Sequence, residues 1–278
     1  MAAEFFIPET LEEAVSIKEK TAKSFYLGGG TILNLWTKKS SKNLISLHKL
    51  PLKGINRSNG FIEIGSMTTM TEMTQDPILK DNIPLAELLK SCYEVSKNTR
   101  NMATAGGIFG SRYTRSDFLP LFLVMDCDVI SYTSGGEKRE SAESYLANPP
   151  SKTGLITRIA IREKNEPFFI KTDRFARSSN DLPVIKTAVS FIPKGNSMND
   201  IKIACGGLYD KPVRLYELEE LLEGRDYSDG SIPELIRNRF AEMAPGRSDI
   251  RGPEDFKKAL ASSMIEDIIA GSGKEQKA

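Results

Sequence analysis

Apolar and polar positions alternate with two different periods along the first half of the chain. Behind Thr10, which can cap a helix, apolar side chains recur at helical spacing from Leu11 to Ile17. Short runs of β-favouring residues predict strands instead, and Asn59-Gly60 predicts a hairpin turn. The predicted strands are 25–27, 43–47, 61–65, 127–132 and 155–161. We therefore expect residues 1–163 to form two mixed lobes, 1–65 and 66–163.

In the second half, strands come first and helices follow. Strands are predicted at 168–171, 184–191 and 201–204, and helices at 216–222, 232–243 and 253–269. Strands followed by helices predict an α+β domain over residues 168–270. Residues 271–278 are expected to form a flexible tail.

Three consecutive glycines, Gly28 to Gly30, follow the strand predicted at 25–27 and precede Thr31 and the apolar run 32–36. This order predicts a strand, a tight turn and the start of a helix. Glycine lets the backbone approach a ligand closely, and amides at a helix start suit an anion such as a diphosphate. The spacing fits neither the dinucleotide fingerprint nor the P-loop, so a plain strand-to-helix turn stays an alternative.

A second glycine segment, Thr104-Ala105-Gly106-Gly107, is followed by Ser116-Asp117 and by Pro120. Together the two segments resemble the FAD-binding subunit of the molybdenum hydroxylases, the family of the xanthine dehydrogenases and the carbon monoxide dehydrogenase medium subunit. That family has Gly-Gly-Gly/His-Thr/Ser in its first loop and Thr-x-Gly-Gly-Asn in its second. Its acidic residue follows the second loop much as Asp117 follows Gly107. The resemblance covers nearly the whole chain.

The resemblance implies an α+β fold, with a two-lobed FAD-binding portion of the PCMH/vanillyl-alcohol-oxidase type followed by an α+β C-terminal domain. FAD would lie between the two lobes. The chain would be the flavoprotein subunit of a multi-subunit oxidoreductase, with an iron–sulfur subunit carrying [2Fe–2S] clusters and a molybdopterin subunit as partners. Electrons from those clusters would pass through FAD to NAD+ or another acceptor.

Carried over position by position, the resemblance predicts a cofactor site with no metal ligand and no catalytic side chain in this chain. Backbone amides of the first loop would hold the FAD diphosphate, and the Thr31 hydroxyl would add a hydrogen bond. Thr104 and Gly107 match family positions near the cofactor. The cofactor-binding residues predicted in the two loops are Tyr26, Leu27, Gly28, Gly29, Gly30, Thr31, Ile32, Thr104, Gly107, Gly110 and Ser111.

Three charged residues complete the predicted site. Asp117 would accept a hydrogen bond from a ribityl or ribose hydroxyl, and its local sequence also suits a helix N-cap. Lys171 and Arg174 lie where the family places a cation near the flavin ring, which would stabilise reduced, anionic flavin. The spacing does not choose between them, and a solvated strand charge is the alternative for each.

Three positions depart from the family pattern. Ile108 replaces the usual Asn beside the second glycine pair, which removes a polar side chain near the cofactor. Gly154 replaces the usual Glu before a strand, and Pro183 stands at the start of a C-terminal strand.

The scarcity of histidine and cysteine narrows the range of possible functions. One histidine, His48, and three scattered cysteines argue against a metal or iron–sulfur site made by this chain and against histidine-based catalysis. The net charge of +1 gives no argument for nucleic acid or a membrane surface. No apolar run is long enough for a transmembrane helix, and no signal peptide is visible, so we expect a cytoplasmic protein.

Two other functions stay open at this point. One is a flavin-free binding or assembly homologue, which Ile108 favours. The other is an independent flavin oxidase with its own substrate pocket, against which the scarcity of acid–base side chains argues. A visible absorption spectrum distinguishes the flavin-free hypothesis from the other two.

Overall fold

The computed structural model describes residues 4–33, 42–149, 154–164, 166–179 and 181–275, without the side chains of Ile83, Lys274 and Glu275. The strands are β1 (Phe5–Phe6), β2 (Ser24–Leu27), β3 (Asn43–Ser46), β4 (Ile55–Ser58), β5 (Phe61–Gly65), β6 (Cys127–Thr133), β7 (Gly136–Ser141), β8 (Leu155–Arg162), β9 (Phe169–Phe175), β10 (Ile185–Lys194), β11 (Ser197–Gly206) and β12 (Val213–Arg214). The helices are α1 (Leu11–Lys20), α2 (Met70–Gln75), α3 (Pro77–Lys80), α4 (Ala86–Tyr93), α5 (Lys97–Met102), α6 (Ala105–Ser111), α7 (Leu119–Val124), α8 (Ala142–Ala147), α9 (Tyr216–Leu222), α10 (Ile232–Glu242) and α11 (Glu254–Glu275). A short 3-10 helix at Ile83–Leu85 precedes α4.

The chain divides into two compact units. Unit 1 comprises residues 1–82, 95–111 and 126–163, and unit 2 comprises residues 83–94, 112–125 and 164–278. Two segments that come before the predicted domain boundary, 83–94 and 112–125, therefore belong to unit 2. The division into domains 1–163 and 168–270 stays a prediction from the sequence.

Unit 1 contains a small parallel sheet and a larger antiparallel one. The small sheet has the order β1-β3-β2, and the larger has the order β4-β5-β8-β6-β7. The predicted hairpin is present, because Asn59 and Gly60 adopt φ values of 50° and 77° between β4 and β5. Helix α1 begins as predicted, with Thr10 Oγ1 accepting the Glu13 amide at 3.1 Å.

Burial of the apolar face of α1 connects these elements. Ala14 and Val15 pack in one cluster with Ile45 and Leu47 of the β3 region and with Leu155 of β8. Burial of this kind is the main favourable contribution to folding. It fixes β2, and hence the start of the first glycine segment, against the rest of unit 1.

Unit 2 is built on an antiparallel sheet of order β12-β11-β10-β9. Successive side chains of β10 point to opposite faces. Ile185, Val189 and Phe191 join the core that contains residues of α9, α10 and α11. On the other face, Lys186 pairs with Glu94, and Ser190 donates a hydrogen bond to the Val124 carbonyl. Residues packed on both faces explain why β10 is buried almost throughout.

The C-terminal helix is longer than the sequence pattern indicates. It runs to Glu275, so residues 271–275 of the predicted flexible tail are helical, and residues 276–278 lie outside the described range. Ser272 is fully buried, and a Cβ built on Gly273 would lie 3.0 Å from the Tyr227 ring. Packing on unit 2 thus outweighs the low helix propensity of the glycines. Among the described helices, none combines the length and apolar character of a membrane span.

Candidate cofactor site

The first glycine segment lies against the backbone of the second. A Cβ built on Gly29 would overlap the carbonyl oxygen of Met102, and one built on Gly28 would lie 2.9 Å from Thr104 Oγ1. Gly30 has a φ of 71°, in the left-handed region that favours glycine. The fold itself therefore explains glycine at all three positions: Gly28 and Gly29 lie close to other atoms, and Gly30 has a positive φ.

Four successive amides of this segment find no acceptor in the part of the fold that the structure describes. The N–H groups of Gly28, Gly29, Gly30 and Thr31 donate to no acceptor within the described residues. All four residues are only half-buried. A row of unpaired amides at a strand end is suited to an anion. The helix predicted after Thr31 lies beyond the described residues from position 34 onward.

The residues that flank the glycines have different surroundings. The Tyr26 ring packs against the apolar cluster around α1, and burial raises the pKa of its phenol. The Leu27 carbonyl accepts the Leu47 amide at 3.1 Å in the small sheet. Ile32 is half-buried in the turn that follows Thr31. Tyr26 and Leu27 thus anchor the strand from which the loop emerges.

The amides of the second glycine segment already donate hydrogen bonds within unit 1. Residues around Thr104 bridge to Thr69, and the Gly106 amide donates to the Ser66 carbonyl at 2.8 Å. The amide of Gly107 donates to Thr104 Oγ1 at 3.2 Å, which caps the start of α6. A Cβ on Gly106 would lie 2.6 Å from Ser66 Cβ. The glycines here allow close packing and leave no row of free donors.

Two predicted residues lie at the other end of α6. Gly110 and Ser111 are six and seven positions beyond Thr104, which is about 9–10 Å along a helix axis. The Ser111 hydroxyl donates to the Ile108 carbonyl at 2.8 Å. The structure therefore brings Thr104 to the first loop but leaves Gly110 and Ser111 a helix length away.

Sequence reasoning missed Ser66. Its side chain is buried, and its Oγ has no hydrogen-bond partner within the described residues. Ser66 lies against Gly106 of the second segment, and the backbone of Met102, which was also missed, lies against Gly29 of the first loop. Neither position carries a sequence signal, because a lone serine or a main-chain carbonyl has no distinguishing pattern.

Asp117 and Arg174 form a buried ion pair in unit 2. Arg174 Nε donates to Asp117 Oδ1 at 2.7 Å, and only 10% and 7% of the two side chains are exposed. Burial raises the pKa of the Asp117 carboxyl, against the opposing effect of the Arg174 cation. Arg174 also donates to the Asp181 carbonyl. The prediction that Arg174 is a solvated strand charge, the alternative in the sequence analysis, is therefore wrong.

Asp117 also does not cap the helix that follows it. Ser116 Oγ accepts the amides of Phe118 and Leu119, each at 3.2 Å, and α7 begins at Leu119. The carboxylate is turned instead towards β9. The prediction that Asp117 is the N-cap is thus wrong: the N-cap position is Phe118, and it is Ser116 that accepts amides at the start of α7.

Lys171 has a different partner from Arg174. Its Nζ lies 3.8 Å from Glu87 of α4, and about a third of its side chain is exposed. The same Glu87 accepts hydrogen bonds from the amide and the hydroxyl of Thr172, at 3.0 and 2.8 Å. The two candidate cations therefore lie in unlike environments, Arg174 enclosed and Lys171 partly in solvent.

The departures from the family pattern have local explanations. Ile108 is buried in α6, where an apolar side chain fits. A Cβ at position 154 would overlap the Tyr132 carbonyl oxygen, so glycine is required there. Pro183 precedes β10, which begins at Ile185, and therefore costs the sheet no ladder hydrogen bond.

Free amides on a glycine loop define a class of site that binds anions, and comparison with known proteins gives the family. Residues 1–162 match the family described as "FAD binding domain in molybdopterin dehydrogenase", and residues 172–271 match "CO dehydrogenase flavoprotein C-terminal domain". The chain belongs to this family of flavoproteins, and FAD is the cofactor of its N-terminal portion. The predicted fold class and the resemblance to the molybdenum hydroxylase FAD subunit are confirmed.

Relatives match over nearly the full length of this chain. It is 27% identical to the Escherichia coli K12 protein YgfM over 97% of this chain and 96% of that one. It is 24% identical to the glyceraldehyde dehydrogenase medium chain of Sulfolobus acidocaldarius, over 92% and 93% of the two chains. In fold it matches a carbon monoxide dehydrogenase structure from Hydrogenophaga pseudoflava, with a TM-score of 0.86, 21% identity and 96% of each chain covered.

Proposed function

We propose that this chain is the subunit through which electrons leave a molybdenum hydroxylase, from the iron–sulfur clusters of a partner to NAD+ or another acceptor. The partners would be an iron–sulfur subunit and a molybdopterin subunit. Membership of the flavoprotein family supports the flavin step. Similar chains named as medium chains of glyceraldehyde and carbon monoxide dehydrogenases support a place in a complex.

The observation that carries the cofactor assignment is the row of four amides from Gly28 to Thr31, for which the described residues offer no acceptor. A diphosphate offers oxygens that accept several N–H groups at once, so this row suits the pyrophosphate of FAD. Thr104 Oγ1, next to Gly28, and the unpartnered Ser66 Oγ, next to Gly106, add polar groups to the same region. The residues present thus fit the cofactor.

FAD supplies the redox chemistry when it is bound, and the protein supplies binding, orientation and electrostatics. The amides 28–31 would hold the diphosphate, with Leu27 fixing the strand end. Thr31 and Thr104 would donate hydroxyl hydrogen bonds. Asp117 would hold a ribityl or ribose hydroxyl, and Lys171 is the better candidate for a flavin-side cation, since it keeps contact with solvent. For Gly110 and Ser111, a cofactor-binding role is supported only by the resemblance to the family.

A competition experiment tests the diphosphate assignment. The purified protein should show the visible spectrum of oxidised flavin, and apoprotein should rebind FAD. ADP carries the diphosphate and should displace FAD, whereas adenosine should not. If adenosine competed as well as ADP, the amides 28–31 would not be the diphosphate site.

The place in a complex needs its own test. Purification from the native source should bring down an iron–sulfur polypeptide and a molybdopterin polypeptide with this chain. Without these partners, the isolated chain should not transfer electrons from a purine or an aldehyde to its flavin. Turnover of such a substrate by the chain alone would replace this proposal with an independent flavin oxidase, and absence of any flavin would replace it with a flavin-free homologue.

A further inference from the structure

Two cations lie side by side on one face of the sheet of unit 2. Arg174 of β9 and Lys186 of β10 are directly opposite each other in the antiparallel register. Lys186 is fully buried and Arg174 is nearly so. Like charges directly opposite each other destabilise a sheet, so this arrangement requires compensation from other elements.

Each cation has its own carboxylate. Arg174 is paired with Asp117 from the segment before α7, at 2.7 Å, and Lys186 with Glu94 from the end of α4, also at 2.7 Å. Lys186 Nζ further lies 3.4 Å from Ser91 Oγ. The charged groups that act on the Asp117 carboxyl are Arg174 and Lys186, which favour its ionised form, and Glu94, which opposes it.

Arg174 has a second acceptor besides Asp117. It donates to the Asp181 carbonyl, and the Asp181 carboxylate forms a two-pronged pair with Arg251, with both oxygens 2.9 Å from its nitrogens. A planar guanidinium fixed at two points presents its Nε in one direction. Asp117 Oδ1 receives that hydrogen bond, while Oδ2 accepts none from the described residues. One oxygen is thus fixed and the other is left for a ligand.

We infer that Arg174 is a positioning residue, which acts on FAD through Asp117 rather than as a cation at the flavin ring. This inference rests on the proposed function, because it requires that Asp117 holds a hydroxyl of the cofactor. Arg174 favours the ionised form of the buried carboxyl and orients it. An ionised carboxylate accepts a hydroxyl hydrogen bond with either oxygen, whereas a protonated one loses part of that capacity.

The consequence is a pH dependence with a defined sign. Burial already raises the pKa of Asp117, and removal of the Arg174 cation would raise it further. FAD affinity that depends on the ionised carboxylate falls as the pH drops through this pKa. Without Arg174 that loss begins at a higher pH, by about one to three pH units, the range over which a neighbouring cation shifts a carboxyl pKa.

The test is the FAD dissociation constant between about pH 5 and pH 8, measured by titration of apoprotein. Arg174→Gln should weaken binding by about tenfold for each pH unit below its raised midpoint, whereas the wild type should show the same loss only at a lower pH. Asp117→Asn should bind weakly and without pH dependence. The double variant Asp117→Asn/Arg174→Gln should bind like Asp117→Asn, because Arg174 then has no carboxylate to act on.

The double variant also protects the test against a folding defect. Arg174→Gln alone leaves a buried carboxylate uncompensated, which destabilises proteins strongly, whereas two neutral amides do not. Lys202→Gln is a matched control, since Lys202 is a buried strand lysine paired with Asp200 at 3.1 Å. It should leave the pH profile of FAD binding unchanged.

The midpoint potential of bound flavin separates the two roles of Arg174. A positioning residue should leave the potential unchanged in Arg174→Gln, and a cation at the ring should not. Additive effects of Asp117→Asn and Arg174→Gln, a flat pH profile in Arg174→Gln, or a shifted potential would each overturn the inference while FAD binding by the wild type stands. Absence of FAD from the wild type would overturn the proposed function as well.

Discussion

The two glycine segments of unit 1 look alike in sequence and serve the fold differently. In the first, the amides of residues 28–31 donate to no acceptor within the described residues. In the second, the amides of Gly106 and Gly107 are taken up by Ser66 and Thr104. Both segments use glycine because a Cβ would collide with neighbouring backbone or side chain. The two segments therefore differ in whether their amides already donate hydrogen bonds. Of the two, the first is the segment whose amides are left to donate to an anion.

This difference changes how a glycine triplet is interpreted. Glycine is commonly associated with close approach of a ligand, yet here Gly29 is close to the carbonyl of Met102 and Gly106 is close to Ser66. The glycines allow the two segments to pack together. The proposed ligand site is the row of amides that have no acceptor in this packing among the described residues. Substitutions in the two segments should consequently separate cofactor binding from stability.

The largest effect is expected for Gly29→Ala. The new methyl group would overlap the Met102 carbonyl, and overpacking of this kind costs about 3 kcal/mol. Because the loop must move, the amides 28–31 should also lose their arrangement and the protein should be purified without flavin. Flavin content and urea unfolding measure the two effects. Gly60→Ala is the matched control, since Gly60 has a positive φ but no atom near its Cβ, so it should lose stability and keep its flavin.

Gly106→Ala should lower stability by about 1–3 kcal/mol, because its Cβ would lie 2.6 Å from Ser66 Cβ and 3.0 Å from the Ser66 carbonyl oxygen. The folded fraction should still bind FAD, since the second segment has no free amides to lose. Titration under conditions where the variant is folded checks this. If Gly106→Ala abolished FAD binding as Gly29→Ala does, the contrast between the two segments would not hold.

Thr104→Val should cost about 1 kcal/mol, the usual value of a helix cap, because α6 would lose the hydrogen bond from the Gly107 amide. Loss of the hydroxyl next to Gly28 should weaken FAD binding as well. Thr69→Val provides a comparison, since Thr69 caps α2 in the same way through the Glu72 amide. Both variants should be destabilised by similar amounts, and only Thr104→Val should change the FAD dissociation constant.

The smallest effect is expected for Gly110→Ala. Gly110 is in α6, and the atom nearest to its built Cβ is Ile156 Cδ1, at 4.0 Å. Alanine therefore fits and should stabilise the helix by up to about 1 kcal/mol without changing FAD affinity. The sequence resemblance predicts a cofactor contact at this position. A clear rise in the FAD dissociation constant would support that contact and contradict the view that the end of α6 is remote from the cofactor.

Much of the fold and part of the site could be predicted from the sequence. The Asn59-Gly60 hairpin, the helix behind Thr10 and the helix at Tyr216–Leu222 follow from local rules of turn, cap and period, and the structure has all of them. The family is likewise confirmed, and each glycine segment that indicates it is a short run of neighbouring residues. The same resemblance predicts Gly110 and Ser111 as cofactor-binding residues, although helix α6 separates them from Thr104 in space.

The sequence by itself determined where the main strands and helices lie, the two glycine segments and the family, since each depends on residues close together along the chain. Only the tertiary structure decided which amides find no acceptor among the described residues. It also decided that Ser116 rather than Asp117 accepts the amides leading into α7, and that Arg174 is enclosed with Asp117 while Lys171 is partly in solvent. Asp117 and Arg174 are 57 residues apart. Pairing, burial and donor use across such separations depend on how strands and helices pack, and no local pattern records them.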